Sequence, residues 1–148
     1  VFRVQTMDTR KIINYLNVPK TKVYKALTTE QGLSETWTRQ CDIKTETGAV
    51  HEFGFGDEDP TRFEIRELIQ DQKITWHCVE SDPEWIGTSV SFELEEKNGK
   101  TTVTLRHSGW REITDFYRWC NYNWSFFLYS LKQYCEEGKG IPFQERSF

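Results

Sequence analysis

No run of apolar residues in this 148-residue sequence approaches the ~20 that a membrane-spanning helix requires, and no charged-then-apolar leader opens it. A soluble, cytoplasmic protein with no membrane span is expected. A basic stripe is missing as well. Lys and Arg number 19 against 23 Asp and Glu, scattered along the chain for a net charge of −4, so the electrostatic footprint of nucleic-acid binding is lacking. No two of the four cysteines, Cys41, Cys78, Cys120 and Cys135, form a C-x-x-C pair, which takes support from zinc and thiol-redox chemistry. Cys120 and Cys135 are also read as belonging to one helix, where 15 residues at ~1.5 Å rise hold them about 22 Å apart, too far for a disulfide. The three histidines, His51, His77 and His107, never stand at metal-ligand spacing. Neither a metal nor another cofactor is expected.

What the chain does have is rings. Six Trp, six Tyr and ten Phe make roughly two in five of its apolar side chains aromatic. At ~150–250 Å² buried per ring, they can fill a core despite an apolar share of only 36%. A length near ~150 residues suits one core. A single domain over residues 1–148 is therefore expected, with residues 1–10 as a loose arm.

Hydrophobic periodicity divides the chain. Lys11 to Val18 predicts a strand stopped by Pro19; Val23, Tyr24 and Leu27 then recur at helical spacing, and a second short helix runs from Leu33 to Trp37, with Gly32 between the two. From Cys41 to Ser108 the period is two: Phe53 and Phe55, Phe63 and Ile65, Trp76 and Cys78, Val90 and Phe92, Val103 and His107 alternate with polar residues. Asn98-Gly99 between two such runs is a strong hairpin signal. Six strands are expected here, antiparallel because their connections are too short for crossovers.

Thr114 to Glu137 then runs 24 residues without Gly or Pro, capped by Thr114 or Asp115 and stopped at Gly138. At 100° per residue, Ile113, Tyr117, Cys120, Trp124, Leu128, Leu131 and Cys135 share the stripe expected to dock on the sheet. Trp119, Tyr122, Phe126 and Tyr129 form a second stripe on the opposite side. The fold class predicted is α+β, one antiparallel sheet against one long helix.

Sequence detail sharpens that order. The stretch from Val23 to Leu33, then Trp37-Thr38, resembles the opening of the SRPBCC superfamily, the START-like or birch-pollen-allergen-like helix-grip fold. Two further blocks, Trp85-Ile86-Gly87-Thr88 through Leu94 and Thr101 through Trp110, look like the branch named for activator of the heat-shock-protein-90 ATPase. The likeness spans Lys11 to Pro142. One departure is Thr36, where such relatives often carry a second Trp before Trp37. The resemblance implies a curved sheet wrapped around the C-terminal helix, with an apolar cavity between them that often holds a hydrophobic small molecule. A shared fold fixes neither ligand nor chemistry.

The candidate ligand-binding residues are accordingly Trp37, Phe53, Phe55, Phe63, Trp76, Cys78, Phe92 and His107 on the sheet side, and Tyr117, Cys120 and Trp124 on the helix. His107 could titrate near neutral pH, but no Ser or Cys nucleophile pairs with it by spacing, which favours a structural histidine over a catalytic one. His51 and His77 are assigned to outward faces. The formal sequon Asn123-Trp124-Ser125 falls mid-helix and is read as chance. The outer stripe of Trp119, Tyr122, Phe126 and Tyr129 fits a contact with the N-terminal arm, a homodimer interface or a ligand entrance, and the symmetric dimer is favoured. Non-catalytic binding of a hydrophobic small molecule leads. Contact with a chaperone ATPase, or a cyclase or dehydratase using His107, are the alternatives.

Overall fold

The computed structural model describes residues 10–56 and 58–147. The expected arm therefore lies outside the described residues, except for Arg10, which opens the first strand. The chain runs β1 (Arg10–Leu16), α1 (Lys20–Thr28), α2 (Glu30–Thr36), β2 (Gln40–Asp42), β3 (Val50–Gly54), β4 (Thr61–Ile69), β5 (Lys73–Glu80), β6 (Ser89–Lys97), β7 (Lys100–Ser108), α3 (Asp115–Glu137) and a 3-10 turn at Phe143–Glu145. All seven strands join one antiparallel sheet in the order β1-β7-β6-β5-β4-β3-β2. This is the α+β order that the periodicity predicts.

Local chemistry explains the elements. Asn98 and Gly99 both take positive φ, 54° and 76°, which the tight β6–β7 turn needs in order to match the strands' twist. Lys97 pairs with Lys100 across it, and the register then brings Phe92 opposite Leu105 and Val90 opposite His107. Thr114 caps α3 by accepting the Tyr117 N–H at 3.1 Å, and the helix stops at Gly138 in the left-handed region.

Gly32 departs from its expected place. It lies inside α2, because the break between the helices falls at Thr29, whose hydroxyl accepts the Gly32 N–H at 3.2 Å. A Cβ there would stand 2.0 Å from the Ala26 carbonyl oxygen, so the residue marks close contact of α1 with α2 and not the joint between them. Ile113 is corrected too. It precedes the cap, is 41% exposed, and does not belong to the docking stripe.

The core lies between the sheet and α3. Cys120, Trp124, Phe127, Leu128, Leu131 and Cys135 form the helix's buried face, and Phe53, Phe63, Trp76 and Phe92 are each fully buried on the sheet. Trp37, just past α2, sits among them: its ring centroid is 4.5 Å from that of Phe53, 5.3 Å from Trp124 and 5.6 Å from Phe127, and it stacks on Trp76 at 6.3 Å. The aromatic excess is thus largely an aromatic core. No helix is long and apolar enough to cross a membrane among the described residues.

Candidate functional site

Rings fill the middle of the sheet–helix interface, and the apolar pocket opens at its edge. It lies beside the first half of α3, where Phe116, Trp119, Cys120, Asn123 and Trp124 face the connection between β5 and β6, represented by Trp85. Trp37, Phe55, Phe143 and Arg146 complete the wall, with the Phe55 and Phe143 rings meeting edge-on at 5.4 Å. The cavity measures about 180 Å³. That is below the ~300–1,000 Å³ of sites for drug-sized molecules and near the ~150 Å³ that suffices for benzene. It suits one or two rings.

Hydrogen bonds set the walls. The Trp85 indole N–H points at Cys120 Sγ, 3.3 Å away, and its ring stacks on Trp124 at 5.7 Å and 12°. On the far side the C-terminal segment is pinned to the end of α2. Ser130 Oγ on α3 donates to the Thr36 carbonyl at 2.7 Å and accepts the Ile141 N–H at 2.8 Å, while the Phe143 N–H donates to the Trp37 carbonyl at 2.6 Å. Arg146 donates to the carbonyls of Ile141 and Thr36, both at 2.8 Å. These bonds fix Phe143 and Arg146 at the pocket although neither stands in a regular helix or sheet ladder.

His107 is fully buried in β7 next to the pocket wall. An indole N–H can only donate, so the 3.0 Å bond from Trp124 Nε1 makes His107 Nδ1 an acceptor. The proton then sits on Nε2, which faces Thr88 Oγ1 at 2.8 Å, and the Thr88 hydroxyl in turn donates to the Trp85 carbonyl at 2.6 Å. Both ring nitrogens are engaged. This arrangement makes His107 a strut that holds Trp124 and the Trp85 loop in position.

Three of the thiols lie away from the pocket and are held in the protonated form. Burial pushes Cys78 and Cys135 up to about 12, and Cys41, half-buried beside Glu30 and Asp42, up to about 11. They are protonated near neutral pH, and no disulfide joins the four cysteines.

Among the eleven residues expected to bind ligand, the structure brings Trp37, Phe55, Cys120 and Trp124 to the pocket. Phe53, Phe63, Trp76, Cys78, Phe92 and His107 are packed in the core behind it, and Tyr117 is half-buried against Trp110. Trp85, Phe116, Asn123, Phe143 and Arg146 were not anticipated as wall residues. Trp85 alone had a signal, as the first residue of a recognisable block. His51 is a correction: it is 1% exposed, because residues 51, 53 and 55 share one side of the extended chain. Trp119, Tyr122 and Tyr129 are about half exposed, whereas Phe126 is half-buried beneath the Arg146 guanidinium at 4.9 Å.

Comparison with known proteins follows the same lines. The family described as Activator of Hsp90 ATPase homolog 1-like protein matches residues 17–136. A solution structure described as the Aha1 dimer from Colwellia psychrerythraea is 34% identical, superposes with a TM-score of 0.82, and is matched over 90% of this chain and 100% of its own. An HSP90 activator from Plasmodium falciparum shares the fold at 16% identity and a TM-score of 0.70, over 89% and 97% of the two chains. A Bacillus halodurans protein does so at 23% and 0.73, over 88% and 98%. No curated protein matches the sequence.

Proposed function

The chain belongs to the Activator of Hsp90 ATPase homolog 1-like family, and from that premise we propose that it binds a small ring-bearing molecule, without catalysis, in the pocket beside the head of α3. The observation that carries the reading is the wall itself. Four of the six tryptophans, Trp37, Trp85, Trp119 and Trp124, converge on one cavity of about 180 Å³. Rigid rings, two of them, Trp85 and Trp124, fixed through their indole N–H groups, keep such a space open at little entropic cost to an incoming ring. Three buried thiols suit a reducing compartment, which favours a cytoplasmic location.

Calorimetric titration with 2-naphthol tests this. The wild-type protein is expected to bind it, and Asn123→Phe, which places a ring in the pocket mouth from a half-buried position, is expected to abolish binding while leaving the thermal midpoint within a few degrees. Equal binding by both proteins would move the ligand elsewhere.

A second reading concerns the outer stripe. Trp119, Tyr122 and Tyr129 are 49%, 54% and 50% exposed, and the Colwellia relative is described as a dimer. We propose a symmetric homodimer through this face, and because Trp119 also lines the pocket, the partner would border its mouth. A chaperone ATPase, suggested by the family's description, would compete for the same rings. Sedimentation of the isolated protein separates the two, since only the homodimer gives twice the monomer mass and loses it in Tyr122→Glu.

A further inference from the structure

Among the described residues, Arg146 is the one charged side chain in the pocket wall. Like Lys11, Lys20 and Arg111, it meets no carboxylate within 4.0 Å among the described residues, and what distinguishes it is its place in the pocket wall. Arg39, Arg62, Arg66, Arg118, Lys44, Lys73, Lys132 and Lys139 each meet a carboxylate. Two main-chain carbonyls, of Ile141 and Thr36, take one N–H each, and the Phe126 ring covers the guanidinium at 4.9 Å. Those contacts fix the plane of the group and leave three of its five N–H donors uncommitted. Burial lowers its pKa to about 10, so it keeps its charge at neutral pH while giving up part of its hydration. A partly dehydrated guanidinium with its orientation already set is a pre-organised receptor for an anion.

We infer that the pocket takes a ring-bearing acid, with the ring among the tryptophans and a carboxylate or similar anionic group on Arg146. The inference rests on the ring-binding reading above and adds the ligand's charge. Three features combine to support it: an apolar cavity of one- to two-ring size, a single cation in its wall, and no carboxylate among the described residues to neutralise that cation. Arg146 also ties the C-terminal segment to α2, a structural role that predicts something different. Loss of that tie would weaken every pocket ligand alike, whereas loss of a charge contact weakens only the acid.

The test compares 2-naphthoate with 2-naphthamide, which has the same rings and nearly the same shape but no charge, on wild type, Arg146→Gln and Arg146→Lys. Wild type is expected to bind the acid at least ten-fold more tightly than the amide. Arg146→Gln is expected to bring the acid-to-amide affinity ratio close to one, whatever loss of the tie costs both ligands in common, and Arg146→Lys to keep part of the ratio. Equal affinity of wild type for acid and amide would overturn the charge assignment while leaving ring binding intact. A parallel loss of both ligands in Arg146→Gln would reduce Arg146 to a structural tie. Binding of neither by wild type would remove the ring-binding reading and this one with it.

Discussion

The His51 ring accepts the Lys44 N–H through Nδ1 at 3.0 Å and meets Trp76 edge-on at 5.4 Å. Burial lowers its pKa to about 4, outweighing the nearby Asp42 carboxylate, which acts the other way. The folded state therefore binds the proton later than the unfolded chain, whose histidine titrates near ~6.5. Stability contributed by the neutral ring is complete above that value and is lost as pH falls from there to about 4. Integrated over the window, the loss is on the order of 3 kcal/mol. The thermal midpoint of wild type is expected to fall between pH 6.5 and pH 5, before carboxylates titrate appreciably, and to fall less in His51→Phe; equal slopes would show that the ring is not buried neutral. Glu136 acts in a separate window. The Asn17 N–H and the Lys132 ammonium hold its carboxyl below the usual range, so its contribution disappears only at more acid pH.

Sequence does place His51 inside, by parity with Phe53 and Phe55, but a lone polar residue at the start of a strand reads as outward unless that parity is followed to the end. The His107 bonds were not legible. Thr88, Trp85 and Trp124 meet it from two other elements, and no spacing along the chain records that meeting.

Elements were more legible than contacts. Asn98-Gly99 specifies its hairpin and Thr114 its cap because turn and cap chemistry are local. Thr114→Ala is expected to cost about 1 kcal/mol in denaturant unfolding, with most of the loss arising from the unpaired first turn of α3. Gly32 was misplaced because a glycine demanded by packing looks in sequence like one demanded by a turn. Gly32→Ala would drive a methyl group to within 2.0 Å of the Ala26 carbonyl oxygen. The helices must then separate, and a loss of ~1–3 kcal/mol or more is expected, against near-neutrality if the glycine were a mere joint. Phe127 escaped the helical-wheel reading in a related way. The buried face of α3 is broad enough to take the adjacent Phe127 and Leu128 together, while a single stripe of spacing three and four running on from Trp124 admits only one of them.

At the scale of the whole molecule, the sheet–helix architecture was readable from periodicity, and an apolar cavity between the layers followed from family resemblance. Its position was not. Large rings close the middle of the interface, with Trp37 wedged among Phe53, Trp76 and Phe127, and the space left over lies where a loop, a helix end and the C-terminal segment converge. Those parts carry no period. Trp37→Ala is expected to cost roughly 3–5 kcal/mol because it would empty the centre of the core. The pocket's entrance and the exposed ring stripe share Trp119, so dimer formation and ligand entry are expected to influence one another: Tyr122→Glu should change the rate of 2-naphthol binding more than its equilibrium affinity.

Each tryptophan contributes one indole N–H signal to a two-dimensional NMR spectrum, so ring binding in this pocket can be mapped directly by titrating 2-naphthol into labelled protein. The signals of Trp37, Trp85, Trp119 and Trp124 are expected to shift, with Trp76 and Trp110, which do not line the cavity, moving least. A spectrum without shifts, or with the largest shifts at Trp76 and Trp110, would contradict ring binding beside α3.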